Sequence, residues 1–136
     1  LFMRIVVAGF LVVISVALFV SLQCTAKATA QSSVAASPYL IERVANNEWL
    51  LIDVRSPQEF ADGHIPGAVN MPHENINDYL SELENHKNKP IIIYCRSGRR
   101  AKLAMKVLEE ADFSEVMHLE GDMLGWSAAG MTVDRM

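Results

Sequence analysis

A short apolar run that gives way to an amphipathic pattern constrains the fold of this chain more than any other feature. Pro90 is followed by Ile-Ile-Ile-Tyr at positions 91–94, and such a β-branched run predicts a strand buried on both faces. Beyond position 100, apolar residues recur at helical spacing, namely at Ala101, Ala104, Met105 and Leu108. The sequence therefore predicts a parallel strand, a short turn and a helix, and ligands of open α/β sheets bind at such turns.

The turn has the sequence Cys-Arg-Ser-Gly-Arg-Arg, from Cys95 to Arg100. At the start of a helix the backbone N–H groups lack intrahelical partners and carry the positive end of the helix dipole. Together with three arginines, they favour a cysteine thiolate and hold an anion beside it. A buried core cysteine is the alternative interpretation, but it leaves the clustered arginines unexplained. We predict that Cys95 is a nucleophile and that the rest of the loop binds its substrate: Arg96, Ser97, Gly98, Arg99 and Arg100.

The first thirty residues have the pattern of a targeting segment. An apolar run without charge extends from Ile5 to Leu22, follows Arg4 and precedes an A-x-A pattern ending at Ala30. This predicts a signal peptide over residues 1–30, a domain over residues 31–136 and a periplasmic location. An uncleaved membrane anchor over residues 5–22 is the alternative. A lipoprotein site at Cys24 is a third option, which the residues before Cys24 fit poorly.

The charge balance and the cysteine content limit the kinds of ligand and partner that the protein can bind. Without residues 1–30 the chain keeps ten basic and sixteen acidic residues, a net charge of −6, and five of those basic residues lie between positions 96 and 106. An acidic body with one basic site focuses small anions and disfavours nucleic acid. Cys95 would then be the only cysteine, and an exported protein with a single thiol is best explained by chemistry. No Cys and His cluster has metal-ligand spacing, so we expect no metal or other cofactor.

Strand and helix patterns alternate along the rest of the chain. Strands are predicted at residues 49–52, around 69–70 and at 116–119, with a short edge strand as one option for residues 31–37. Helices are predicted from Pro38, from Pro57, on the face formed by Ile76, Tyr79, Leu80 and Leu83, and around Trp126. This alternation predicts an α/β domain with a parallel sheet covered on both faces.

Three separated motifs resemble those of the rhodanese family. Its amino-terminal signature is resembled by three short segments: Asp-Val-Arg at 53–55, Glu59-Phe60, and Gly-His-Ile-Pro-Gly-Ala-Val-Asn at 63–70. The loop at 95–100 resembles its active-site loop, and residues 120–126 resemble its closing motif, so the resemblance covers about residues 37–128. Asp122 stands where the family often has a second glycine. We expect that departure to affect only the carboxyl-terminal loop.

The resemblance implies a three-layer α/β/α fold with a five-stranded parallel sheet. It also implies thiosulfate sulfurtransferase activity, in which Cys95 takes the outer sulfur of thiosulfate as a persulfide and passes it to cyanide or a thiol. The partners are then a small anionic sulfur donor and a thiophilic acceptor, with membrane contact only if the leader remains. An exported single-domain member is similar to the phage-shock protein E type of periplasmic rhodanese, and we expect a monomer.

Two other functions compete with this interpretation. Cysteine phosphatases and arsenate reductases use a seven-residue Cys-x5-Arg loop, whereas the loop arginine here, Arg100, is the sixth residue counted from Cys95. A non-catalytic binding module is the other alternative, and the presence of Cys95 disfavours it.

The sequence favours structural roles for the remaining polar residues. Asp53 is interpreted as a turn residue, and Arg55 and Glu59, one helical turn apart, are expected to pair with each other. His64 is expected to brace its loop. Within the active-site loop, Arg100 and Arg96 are predicted to face the anion, whereas Arg99 is predicted to face solvent.

Overall fold

The computed structural model describes residues 32–136. The predicted leader, residues 1–30, and the domain's first residue, Gln31, lie outside the described residues. The strands are β1 (Ser33–Val34), β2 (Leu50–Asp53), β3 (Val69–Asn70), β4 (Ile91–Tyr94) and β5 (Val116–Leu119). The α-helices are α1 (Pro38–Ala45), α2 (Pro57–Asp62), α3 (Leu80–Leu83), α4 (Arg99–Glu110) and α5 (Asp122–Ala128). Within residues 32–136, no helix has the length and apolar character needed to cross a membrane.

The strands form one parallel sheet in the order β1-β5-β4-β2-β3. Strand β4 is central, with Tyr94 opposite Asp53 of β2 and Ile93 opposite His118 of β5. Because all strands run the same way, their carboxyl ends meet at one edge of the sheet. The loop that begins at Cys95 therefore lies beside the segments that follow β2 and β5.

The core has two halves, one on each face of the sheet. Ile91 and Ile93 of β4 point to one face, where the apolar side of α4 packs, and Ile92 and Tyr94 point to the other face, against α1 and Trp126 of α5. All four residues of β4 are buried. This arrangement confirms the three-layer α/β/α fold and the five-stranded parallel sheet. It also confirms that β4 is buried on both faces.

The segment between β3 and β4 differs from the predicted regular helix. A 3₁₀ helix spans His73–Tyr79, the single α-helical turn α3 follows, and a second 3₁₀ turn spans Glu84–His86. The predicted apolar face is correct, since Ile76 and Leu83 are buried. The helix type differs because asparagine and aspartate, at Asn75, Asn77 and Asp78, favour turns over the α-helix interior.

Candidate active site

A cavity of about 420 Å³ opens at the carboxyl end of β4, around the loop that joins β4 to α4. Every predicted site residue except Gly98 lines it, in the order Cys95, Arg96, Ser97, Arg99 and Arg100. His73 and Glu74, at the start of the 3₁₀ helix, form the facing wall. Sequence spacing gave no signal for these two, because they reach the cavity from a different part of the chain.

The loop curls around the sulfur of Cys95. The backbone N–H of Gly98 donates a hydrogen bond to Sγ of Cys95 at 3.0 Å, and the residue as a whole is 1 % exposed. Gly98 has a φ of +115°, a conformation that residues with a side chain rarely adopt. An N–H aimed at the sulfur supports negative charge on it, which is what a nucleophilic cysteine requires.

Asp122 fixes the loop from the side of β5. Its Oδ1 accepts a hydrogen bond from the backbone N–H of Cys95 at 3.0 Å, and Nε2 of His118 lies 3.0 Å from the same oxygen. The first turn of α5 adds two backbone bonds, from Met123 N–H to the Cys95 carbonyl (3.0 Å) and from Leu124 N–H to the Arg96 carbonyl (3.2 Å). The expectation that Asp122 affects only the carboxyl-terminal loop is therefore wrong.

The backbone at Asp122 also explains why a glycine is common there. Its φ is +53°, in the left-handed region that glycine adopts without strain and that aspartate tolerates better than most residues. The carboxylate is 2 % exposed and reaches the Cys95 amide, which a glycine has no side chain to do. Compared with glycine, aspartate at this position thus has less backbone freedom but makes a direct contact with the active-site loop.

Glu59 holds Arg100 from the other side of the loop. Its Oε2 and Oε1 accept hydrogen bonds from the two terminal nitrogens of Arg100 at 2.7 and 2.9 Å. Glu59 also closes a capping box with Ser56 at the start of α2. The hydrogen bonds from Arg100 lower the pKa of Glu59 to about 2 and raise the pKa of Arg100. Arg100 lines the cavity as predicted, but its guanidinium is already bound by a carboxylate.

Arg96 and Arg99 differ from Arg100 in this respect. Both are exposed, both line the cavity, and within residues 32–136 neither has a carboxylate at ion-pair distance. The exposure of Arg99 agrees with its predicted orientation toward solvent. The charges most available to a bound anion are therefore those of Arg96 and Arg99.

The predicted pair of Arg55 and Glu59 is wrong. Arg55 instead binds Asp53 inside the protein, with Nη2 at 2.6 Å from Oδ2, and donates to the Gly63 carbonyl at 2.7 Å. Asp53 is fully buried and Arg55 is 6 % exposed. The two residues are only two positions apart, so Arg55 pairs with Asp53 and not with Glu59. Asp53 is thus a structural residue, as interpreted from the sequence.

His64 braces the loop between α2 and β3, as expected. Its Nδ1 lies 2.8 Å from the carbonyl oxygen of Phe60, and its ring stacks on the Phe60 ring with 3.8 Å between centroids. Its backbone forms an antiparallel bridge with Asp134. None of these contacts involves Cys95.

Comparison with known proteins agrees with the fold. A family model described as Rhodanese-like domain matches residues 37–129. A sulfurtransferase from Allochromatium vinosum is 36% identical over 98 residues, covering 71% of this chain and 90% of that protein. The thiosulfate sulfurtransferase GlpE of Ectopseudomonas mendocina is 30% identical over 92 residues, covering 68% of this chain and 83% of that protein.

A solved structure with the same fold is a rhodanese-related protein from Thermoplasma volcanium. It has a TM-score of 0.66 and 25% identity, and the match covers 77% of this chain and 99% of that one. Some relatives are longer, and the chain spans only 56% and 42% of two of them. The chain belongs to the rhodanese family, and its relatives support a function of the sulfurtransferase type.

Proposed function

We propose that this protein is a thiosulfate sulfurtransferase that works through a persulfide on Cys95. The observation that supports this most directly is the position of the Cys95 sulfur, in a cavity walled by arginines and within 3.0 Å of the Gly98 amide. Thiosulfate is a small dianion whose outer sulfur is attacked by a thiolate. A relative named a thiosulfate sulfurtransferase is consistent with that donor.

In the first step the Cys95 thiolate attacks the outer sulfur of thiosulfate. A bond forms between Sγ and that sulfur, the S–S bond of thiosulfate breaks, and its electron pair leaves with sulfite. Arg96 and Arg99 stand at the rim of the cavity, where they oppose the charge of the sulfonate oxygens. Arg100 holds the loop in place through its pair with Glu59.

In the second step a nucleophile removes the sulfur. Cyanide or a thiolate attacks the outer sulfur of the persulfide, the bond to Sγ breaks, and the electron pair returns to Cys95 as thiolate. No proton acceptor is needed on the enzyme when the nucleophiles are already anions. The Gly98 amide serves both states, because it can donate to Sγ before and after transfer.

The same contacts argue against a phosphatase. In that alternative the arginine that ends the loop binds the phosphate, but both terminal nitrogens of Arg100 are bound by Glu59. The loop also holds one residue fewer than the Cys-x5-Arg loop. A non-catalytic binding module would not need the hydrogen bond from the Gly98 N–H to the Cys95 sulfur.

Intact mass spectrometry tests the proposal. Incubation with thiosulfate should add the mass of one sulfur atom to the wild-type protein, and addition of cyanide should remove it and release thiocyanate. Cys95→Ser should show neither change while keeping the wild-type circular dichroism spectrum. A wild-type protein that never gains sulfur, or a Cys95→Ser variant that does, would overturn the proposal.

We also propose that residues 1–30 direct export to the periplasm and are removed after Ala30. The support is the sequence alone: the charge-free run from Ile5 to Leu22 and the A-x-A pattern. Amino-terminal sequencing of the protein released by osmotic shock should begin at Gln31. Recovery of the full chain from washed membranes would favour the anchor instead.

A further inference from the structure

A second cavity, of about 350 Å³, shares Arg96 with the Cys95 cavity. Among residues 32–136, Arg96 is the one that lines both cavities. The other walls come from α2 and the residues that flank it, from α5 and from the segment at residues 131–136, and include Met123, Ser127, Val133 and Arg135. We call it the lateral cavity. The proposed transfer needs two substrates, and this space adjoins the loop that carries the sulfur.

The walls of the lateral cavity are fixed to the active-site loop and to each other. The first turn of α5 is bonded to the carbonyls of Cys95 and Arg96. The segment at 131–136 is held by the paired backbones of His64 and Asp134, at 2.9 Å in both directions, and by the indole of Trp126, which donates to the Thr132 carbonyl at 2.8 Å. The lateral cavity is therefore a preformed feature of the fold, set at a fixed distance from Cys95.

The charges that line the lateral cavity leave a positive balance. Arg55 is neutralised by Asp53, and Glu59 by Arg100. Two further arginines, Arg96 and Arg135, have no carboxylate partner in the described part of the chain, residues 32–136. They face one remaining acid, Asp62, which accepts a hydrogen bond from the amide of Gln58.

The lateral cavity is lined in part by apolar side chains, whereas the residues that line the Cys95 cavity are polar or charged apart from the cysteine itself. The apolar side chains are those of Met123, Leu124 and Val133, and Leu124 is 50% exposed. An inorganic anion gains nothing from such a surface, whereas an organic anion buries its carbon chain there. Positive charge beside apolar surface therefore selects a small organic anion.

We propose that the lateral cavity binds the sulfur acceptor, and that the acceptor is a low-molecular-weight thiol that carries a carboxylate. This rests on the proposed sulfurtransferase function. Arg96 and Arg135 bind the carboxylate, the carbon chain lies on Met123 and Val133, and the thiolate reaches the persulfide past Arg96. The acceptor sulfur forms a bond to the outer sulfur of Cys95–S–SH, the bond to Sγ breaks, and its electron pair stays on Cys95 as thiolate. The acceptor leaves as a persulfide, so no oxidant or reductant is consumed.

The test is single-turnover transfer from the preformed Cys95 persulfide to three thiols at equal thiolate concentration. The thiols are 3-mercaptopropionate, its uncharged methyl ester and the cationic 2-mercaptoethylamine, with cyanide as a reference too small to need the lateral cavity. The acid should react about fivefold faster than its ester, the size expected of a partly exposed ion pair. The amine should be the slowest of the three.

Two variants place the preference in the lateral cavity. Ser127→Asp adds a negative charge to its wall, and Arg135→Ala removes a positive one; both positions are exposed, so folding should persist. Each should lower the rate for 3-mercaptopropionate relative to that for cyanide. The matched controls are Ser81→Asp and Lys106→Ala, exposed positions that line neither cavity, and both should keep the wild-type ratio.

The outcomes separate this inference from the proposed function. Equal rates for the acid and the ester, or a wild-type ratio in Ser127→Asp and Arg135→Ala, would overturn the acceptor site while cyanide transfer continued. Failure of cyanide transfer in the wild type would overturn the sulfurtransferase itself, and the acceptor site with it.

Discussion

Glu59 and Arg100, 41 positions apart in the chain, are joined by two parallel hydrogen bonds between carboxylate and guanidinium. The pair connects the first turn of α2 to the first turn of α4, and so connects the segment after β2 to the loop after β4. A planar guanidinium that binds both oxygens of a carboxylate has little freedom to turn toward a ligand. Arg100 therefore shapes the loop, and Arg96 and Arg99 are left to meet the substrate.

The stability of the protein should depend on the Glu59 carboxylate in a pH-dependent way. Because its pKa falls from an ordinary 4.5 to about 2 in the folded protein, the stabilisation is full above pH 4.5 and is lost as the pH falls toward 2. Glu59→Gln should lower the free energy of unfolding at pH 7 by up to about 1 kcal/mol, since the pair is partly exposed. Urea unfolding at several pH values should show this difference shrinking below pH 4.5. Glu82→Gln, an exposed control, should show no such trend.

Loss of Arg100 should differ from loss of either of the other two loop arginines. Arg96→Ala should cost roughly tenfold in kcat/KM for thiosulfate with little change in stability, because it removes a contact with a charged ligand. Arg99→Ala should show the same pattern, and both effects should fade as salt rises, because both side chains are exposed. Arg100→Ala should lower both activity and stability, since it leaves Glu59 without its partner. Steady-state kinetics at two ionic strengths, with thermal unfolding of each variant, separate Arg100 from the other two; an unchanged unfolding temperature in Arg100→Ala would contradict the role of the pair.

Substitution of Gly98 should damage the loop for two separable reasons. Its φ of +115° is strained for any other residue, and an added Cβ would lie 3.2 Å from Oδ2 of Asp122. Gly98→Ala should therefore slow persulfide formation strongly. Gly130→Ala is the control, because Gly130 also has a positive φ, of +68°, but an added Cβ there meets no atom within 4 Å. Equal activity in the two variants would show that the contact with Asp122 does not matter.

Variants of Asp122 should separate the effect of its strained backbone from the effect of its side-chain hydrogen bond. Asp122→Gly relieves the positive φ but loses the bond to the Cys95 amide, whereas Asp122→Ala loses the bond and keeps the strain. The alanine variant should be less stable than the glycine variant by about 1 kcal/mol. Asp122→Asn keeps an acceptor oxygen and should retain the most activity of the three. Denaturant unfolding and persulfide formation measured on the same samples check both rankings.

Much of the fold and the central part of the site could be predicted because they are local in sequence. Strand β4, the loop and α4 follow one another without interruption, so a single stretch from Pro90 to Leu108 specifies the strand, the turn and the apolar helix face. Glu59 and Asp122 could not be assigned in this way. They meet the loop only because β2 and β5 flank β4 in the sheet, and strand order is not readable from the periodicity of one segment.

Where the sequence spacing suggested an ion-pair partner, the structure pairs the residue with a nearer carboxylate. Arg55 and Glu59 are separated by one helical turn, but Arg55 precedes α2 and its side chain turns back to the buried Asp53. Burial of a carboxylate without a cation costs free energy, so the Asp53 carboxylate pairs with the nearest guanidinium, that of Arg55. Glu59 is then available to Arg100.

The burial of Cys95 has a consequence for which reagents should meet its sulfur. The residue is 1 % exposed and lies beside a cavity of about 420 Å³, so a small molecule that enters the cavity should reach the sulfur more readily than a cysteine on the surface of another protein. We therefore expect the loop to select reagents by size and mixed disulfides with other proteins to form slowly at Cys95.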